Sequence, residues 1–128
     1  MTMAVQTDTT LIKPLEGAIV RRYTAGAAIT AGCPVALDSS GYVQHADGNS
    51  SDPVADMVLG IAIQAATAAG ERVDVVIYGP VSCVTGGTPG AYVYISDTVA
   101  LPDHSSTSNG VIGVAESATV LFIRPQKP

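Results

Sequence analysis

Few side chains in this sequence stand where chemistry would need them. Asp47, Asn49 and Ser51 have the alternating oxygen spacing of a calcium loop, but Asp52 stands where that loop needs glycine and Val58 where it needs the bidentate glutamate. A solvated acidic loop is the plainer reading. Asp103-His104-Ser105 carries the letters of a hydrolase relay. Consecutive side chains do not hold relay geometry, and neither a nucleophile elbow nor an oxyanion motif accompanies them. Gly86-Gly87-Thr88-Pro89-Gly90 is glycine-rich, as phosphate cradles are, yet it lacks the following Lys-Ser or Lys-Thr and any helix to open, so it reads as a turn. Cys33, Cys83, His45 and His104 would make a zinc set only if folding gathered all four, and no CxxC spacing announces one. In a reducing compartment the two thiols read as small buried hydrophobes. No catalytic residue, cofactor or metal site is assigned, and the expectation is a protein that is not an enzyme.

Charge narrows the classes further. Only 13% of the 128 residues are charged while 47% are hydrophobic, against about 25% charged in an average soluble protein. Too little charge is available to cover the surface, and the natural destination for the surplus apolar area is another protein subunit. The formal net charge is −5, with six basic residues scattered along the chain, whereas a nucleic-acid footprint needs clustered Lys and Arg. Nucleic acid is therefore not an expected partner. Arg21-Arg22 is the one adjacent basic pair and reads as a solvated strand end. Mean hydropathy is +0.34, but the longest apolar run, residues 58–70, is broken by Gln64 and Thr67. No membrane span is expected. Residues 1–10 lack the basic region and apolar core of a signal peptide, so synthesis and retention in the cytoplasm are expected.

The elements that would position any site are strands. Residues 58–63 and 73–78 read as two apolar strands, joined by a small-residue loop at 65–72 and closed by Gly79-Pro80. A shorter version returns at 110–125: residues 59–62 match 112–115, and residues 73–80 match 118–125. Gly32-Cys33-Pro34-Val35-Ala36-Leu37 likewise matches Gly90-Ala91-Tyr92-Val93-Tyr94-Ile95. Further strands are expected at 18–23, 34–37 and 42–46, the last two forming a hairpin around Asp38-Ser39-Ser40-Gly41. Gly60 and Gly113, one residue into their strands, mark bulges or close strand packing. Loop 63–72 is expected to project, with a single short helix as the alternative. The predicted fold is all-β, a small barrel or sandwich built from two related β-units over residues 16–128.

Residues 1–15 are set apart as an extended N-terminal arm, because Thr7, Thr9 and Thr10 favour extended backbone and Pro14 stops a ladder. Such a segment is either a frayed terminus or a strand that adds to a partner's sheet edge. Tyr92 and Tyr94 point to one face of their strand, as core or as an aromatic anchor at a subunit contact.

Glu16-Gly17 opening the domain, residues 27–32 leading into Pro34-Val35-Ala36-Leu37, Leu59-Gly60-Ile61-Ala62 with its alanine-rich loop, and the strand at 73–78 together resemble the head decoration, or cement, proteins of tailed bacteriophages. The resemblance covers most of residues 16–123. It implies a structural virion protein on the outer surface of the mature capsid, at three-fold or quasi-three-fold positions, with the major capsid protein as partner. It also implies a homotrimer, and a capsid-binding arm whose matching residues here are Thr9, Thr10, Leu11, Ile12, Lys13, Pro14 and Leu15. Tyr92 and Tyr94 are the candidate subunit contact. A tail or fibre component is the alternative among virion proteins. A biotinyl or lipoyl carrier would need a lysine at a hairpin tip, but Lys13 and Lys127 both lie outside the β-units. A small trimeric β enzyme would have only Asp38, Asp74 and Asp97 to converge on a substrate.

Overall fold

The computed structural model describes residues 3–47, 57–96, 101–105 and 109–126. The all-β expectation is met by a long antiparallel sheet that curls into a half-barrel. Its strands are β1 (Ala4–Val5), β2 (Lys13–Pro14), β3 (Ile19–Thr24), β4 (Pro34–Leu37), β5 (Val43–His45), β6 (Val58–Ala62), β7 (Arg72–Ser82), β8 (Val84–Thr85), β9 (Tyr92–Ile95), β10 (Pro102–Asp103), β11 (Val111–Ala115) and β12 (Val120–Gln126). The main path runs β10-β9-β11-β12-β7-β6-β4-β5, while β2 and β3 also pair with β7 and β1 pairs separately with β8. Among the described residues no helix is long and apolar enough to cross a membrane.

The centre is β7. Sequence reasoning closes this strand at Gly79-Pro80, but the ladder continues to Ser82, with Pro80 opposite Phe122. Gly79 makes this possible. Its φ of 103° is open to glycine, and a Cβ there would lie 2.8 Å from Ala18 Cα. The strand also turns its faces over at this point, as strands do where they pass from one sheet region to another. Before Gly79, Val73 and Val75 enter one apolar cluster and Val76 the other; beyond it, Val81 joins the cluster of Val76. One strand thus serves both β-units.

Those units share their hydrogen bonding as well as their pattern. Val35 pairs with Gly60 and Val93 with Gly113, each beside a register shift. Gly32 N–H donates to Ala62 O at 2.7 Å, and Gly90 N–H to Ala115 O at 2.8 Å. A Cβ on Gly60 would lie 2.0 Å from the Val76 carbonyl oxygen, and one on Gly113 1.9 Å from that of Phe122. Both glycines are therefore sites of close strand approach, as expected. The same contacts equate Val76 with Phe122, one residue away from the match of 73–80 with 118–125. Both runs are apolar at odd and even positions alike, so hydrophobicity could not fix a register in which a one-residue slip exchanges the faces.

Two clusters form the core. The larger gathers Ala36, Ile61 and Val76 of the first unit with Val93, Ile95, Ile112, Leu121 and Ile123 of the second. The smaller lies on the other side of the first unit, where Val35, Val43, Ala62, Val73 and Val75 meet Ala25, Ile29 and Ala66. The loop expected to project is pinned down at its middle: Ala66 and Ile29 exchange backbone hydrogen bonds of 2.9 Å, and Ala66 is buried. No helical turn forms in it.

Candidate functional site

The N-terminal residues singled out by sequence lie along the β7 edge of the sheet. Asp8 organises the segment. Its carboxylate accepts from the Thr10 hydroxyl at 2.7 Å and the Thr10 N–H at 3.1 Å, which hold its pKa below the usual carboxylate value and cap a 3-10 turn at Thr9–Leu11. The extended run expected over Thr9–Leu15 is interrupted by this turn. Beyond it Ile12 is buried in the larger core cluster, as is Met3. Lys13 then pairs with Ser82 and Pro14 with Val81, and Leu15 N–H donates to Pro80 O at 3.0 Å. Pro14 was expected to stop a ladder, but a two-residue pairing at a sheet edge accommodates it. Thr9, Thr10, Leu11, Lys13 and Pro14 are exposed, and Leu15 is half-buried. A cleft of about 520 Å³ opens between this segment and the body, with Gln6, Thr9, Thr30, Cys33, His45 and Leu101 among its walls.

Tyr92 and Tyr94 share the outward face of β9, their ring centroids 6.3 Å apart. Tyr92 is 51% exposed and Tyr94 half-buried. Next to them on the sheet stand Val114 and Phe122, and the Phe122 ring meets Tyr78 edge-on at 5.2 Å.

The other chemical candidates are occupied by structural duties. His104 is fastened to backbone at both ring nitrogens: its Nε2 accepts from Thr88 N–H at 3.1 Å and its Nδ1 lies 2.7 Å from Tyr92 O. His45 Nε2 accepts from Thr30 N–H at 3.0 Å. Thr30 and Thr88 each precede by two residues the matched glycines Gly32 and Gly90, so the two histidines fasten the same turn in the two units. Sequence reasoning missed this pairing, although Thr30-Ala31-Gly32 and Thr88-Pro89-Gly90 carried its signal.

Asp38 accepts from the N–H groups of Ser40 and Tyr42, and Asp74 pairs with Arg22 at 2.9 Å. Asp97, Lys127, Asn49 and Ser51 lie outside the described residues. Cys33 and Cys83 are buried free thiols, pushed up to about 11 and about 12 respectively by loss of hydration. Among the described residues no three His, Cys, Asp or Glu side chains gather closely enough to hold a metal ion.

What the described residues present is thus a buried core with an exposed N-terminal edge and an aromatic outer face. The family model described as phage cement protein matches residues 3–77, more than half of the 128-residue chain. The chain belongs to the phage cement proteins. The cement match takes in the N-terminal segment, the whole of β3 to β6 and β7 as far as Ile77, two residues before the strand turns over at Gly79. Among curated proteins none matches the chain. As a cement protein it has a structural, capsid-binding role in the virion.

Proposed function

We propose that this cement protein binds the outer surface of the mature phage head at three-fold or quasi-three-fold positions, as a homotrimer, and ties neighbouring major capsid subunits together. The family match carries this reading, because it spans both the N-terminal segment and the first β-unit. A protein that binds only the expanded lattice stabilises that lattice by mass action, and contact with several subunits at once adds avidity beyond any single contact. The proposed capsid contact runs through Thr9 to Leu15, where exposed Leu11, Lys13 and Pro14 flank the anchor Ile12. Tyr92 and Tyr94 are proposed to meet a neighbouring copy.

The deciding experiment is co-sedimentation of the purified protein with expanded and with unexpanded heads. Binding to expanded heads alone is expected. Binding to neither form, or equally to both, overturns the reading. The contact is tested by Leu11→Asp, which leaves Met3 and Ile12 in place, and retention of full affinity by this variant removes the N-terminal segment from the docking surface.

A further inference from the structure

The N-terminal segment lies over a turn that a histidine holds in place. His45 Nε2 accepts from Thr30 N–H at 3.0 Å, fixing the start of Thr30-Ala31-Gly32. Gly32 is where the segment sits: a Cβ there would lie 2.8 Å from Val5 Cγ1 and 3.1 Å from Ile12 Cδ1. The second unit holds its turn in the same way, His104 on Thr88, but among the described residues nothing would lie within 4 Å of a Cβ on its Gly90. Only the turn of the first unit carries a strap. The His45 ring is half-buried in the wall of the cleft of about 520 Å³, between Val5, Gln6 and Thr9 of the segment and Thr30 and Cys33 of the body. Among the described residues no Asp, Glu, Lys or Arg lines this cleft. The ionisable groups on the elements around it are Cys33, Asp8 beside Thr9, Asp47 two residues along from His45, and Asp103 two residues beyond Leu101. Asp8 is engaged by Thr10, and burial rather than a neighbouring charge lowers the pKa of the His45 ring.

We infer that His45 is an acid-operated latch on the N-terminal segment: once Nε2 takes a proton, the ring loses its bond to Thr30 N–H and the segment lifts off the turn at Gly32. Two consequences of the proton drive the opening. A protonated imidazole is a donor at both nitrogens, so Nε2–H and Thr30 N–H are set against each other. The new charge also requires water or a carboxylate, and with no carboxylate in the cleft wall the ring is hydrated by opening the cleft. The wall that yields is the weaker one. The segment is held by two-residue ladders, β1 to β8 and β2 to β7, and by the apolar anchors Met3 and Ile12. On the other side β5 is held by a three-residue ladder to β4, by Val43 in the smaller core, and by Ala46 N–H donating to Pro34 O at 3.0 Å. Short edge pairings are the low-stability end of a structure and open first. The latch is closed at neutral pH and opens as the pH falls below the ordinary histidine range. The inference deepens the proposed capsid contact, and only its consequence for shell binding rests on that reading: Thr9 to Leu15 leave their places with the segment.

The test is amide hydrogen exchange of the full chain at pH 7 and pH 5, corrected for the intrinsic pH dependence of exchange. Gln6 N–H on Cys83 O and Leu15 N–H on Pro80 O report on the segment, and Ile95 N–H on Gly110 O on the second unit. Protection at Gln6 and Leu15 is expected to fall by about tenfold or more at pH 5, well beyond any change at Ile95. His45→Gln keeps an acceptor for Thr30 N–H but takes no proton, and is expected to abolish the loss, whereas His104→Gln retains it. A segment equally protected at both pH values overturns the inference, as does the same loss in a folded His45→Gln protein or a loss of equal size at Ile95. Should His45→Gln not fold, the wild type decides: segment opening must share its midpoint with the titration of the His45 ring followed by nuclear magnetic resonance, and separate midpoints overturn the inference. Co-sedimentation with expanded heads reads separately. Wild type is expected to bind at pH 7 and let go at pH 5, with His45→Gln bound at both; an opened segment on a chain still bound at pH 5 takes the segment out of the docking surface and leaves the latch standing.

Discussion

Gly60 and Gly113 have no room for a methyl group, because the Cβ would fall about as close to a carbonyl oxygen as a hydrogen atom does in a hydrogen bond. Alanine at either position must push β6 off β7, or β11 off β12, and is expected to cost about 3 kcal/mol. Urea denaturation of each variant measures this, and a loss under about 0.5 kcal/mol would mean that the strands separate freely. His45 gives a pH dependence with a definite sign. Burial lowers its pKa below the ordinary value, so the folded state resists the proton that the unfolded chain accepts near pH 6.5. Its contribution to stability is complete above that pH and is lost as the pH falls through the lowered folded value. The melting temperature should drop from pH 7 to pH 5, and less steeply in His45→Gln, whose side-chain oxygen can still accept from Thr30 N–H. The thiols of Cys33 and Cys83 should stay unreactive toward a disulfide reagent at pH 8 until the chain unfolds, since both are buried and held protonated.

At the scale of elements, the N-terminal segment combines two roles that its sequence suggested were separate. Its threonines and Pro14 read as a free arm, and that composition was legible; the anchoring by Ile12 and Met3 was not, because the apolar residues scattered through this segment do not show which of them enter a core. Removing residues 1–15 takes both anchors out of the larger cluster. Ile12→Ala alone is expected to cost about 2–4 kcal/mol, read from thermal or urea unfolding. A capsid-binding defect in the truncated chain must therefore be separated from lost stability, whereas Leu11→Asp changes an exposed side chain. Strands β4, β6, β9 and β11 were legible because apolar runs bounded by glycine and proline turns leave little choice. The length of β7 was not, because Gly-Pro ends most strands and only a partner on each edge can carry a ladder through it. The aromatic pair on β9 was legible from alternation alone.

For the whole molecule, the large core is the interface between the two units, so neither should fold without the other. Residues 79–126 expressed alone would leave Val93, Ile95, Ile112, Leu121 and Ile123 without Ala36, Ile61 and Val76. That fragment is expected to show no cooperative unfolding transition by circular dichroism. In the intact chain, probes in the first and second units should report one coincident transition.

The same architecture has a mechanical side. β7 is held along one edge by β3 and β2 and along the other by β6 and β12. Tension entering at either unit must cross this strand in shear, loading many backbone hydrogen bonds together rather than unzipping them singly. A molecule stretched between neighbours on a shell would then behave as a tie bar with one breaking point. Pulled from its ends in a force spectrometer, the chain should rupture in a single peak, with no plateau from one unit yielding before the other.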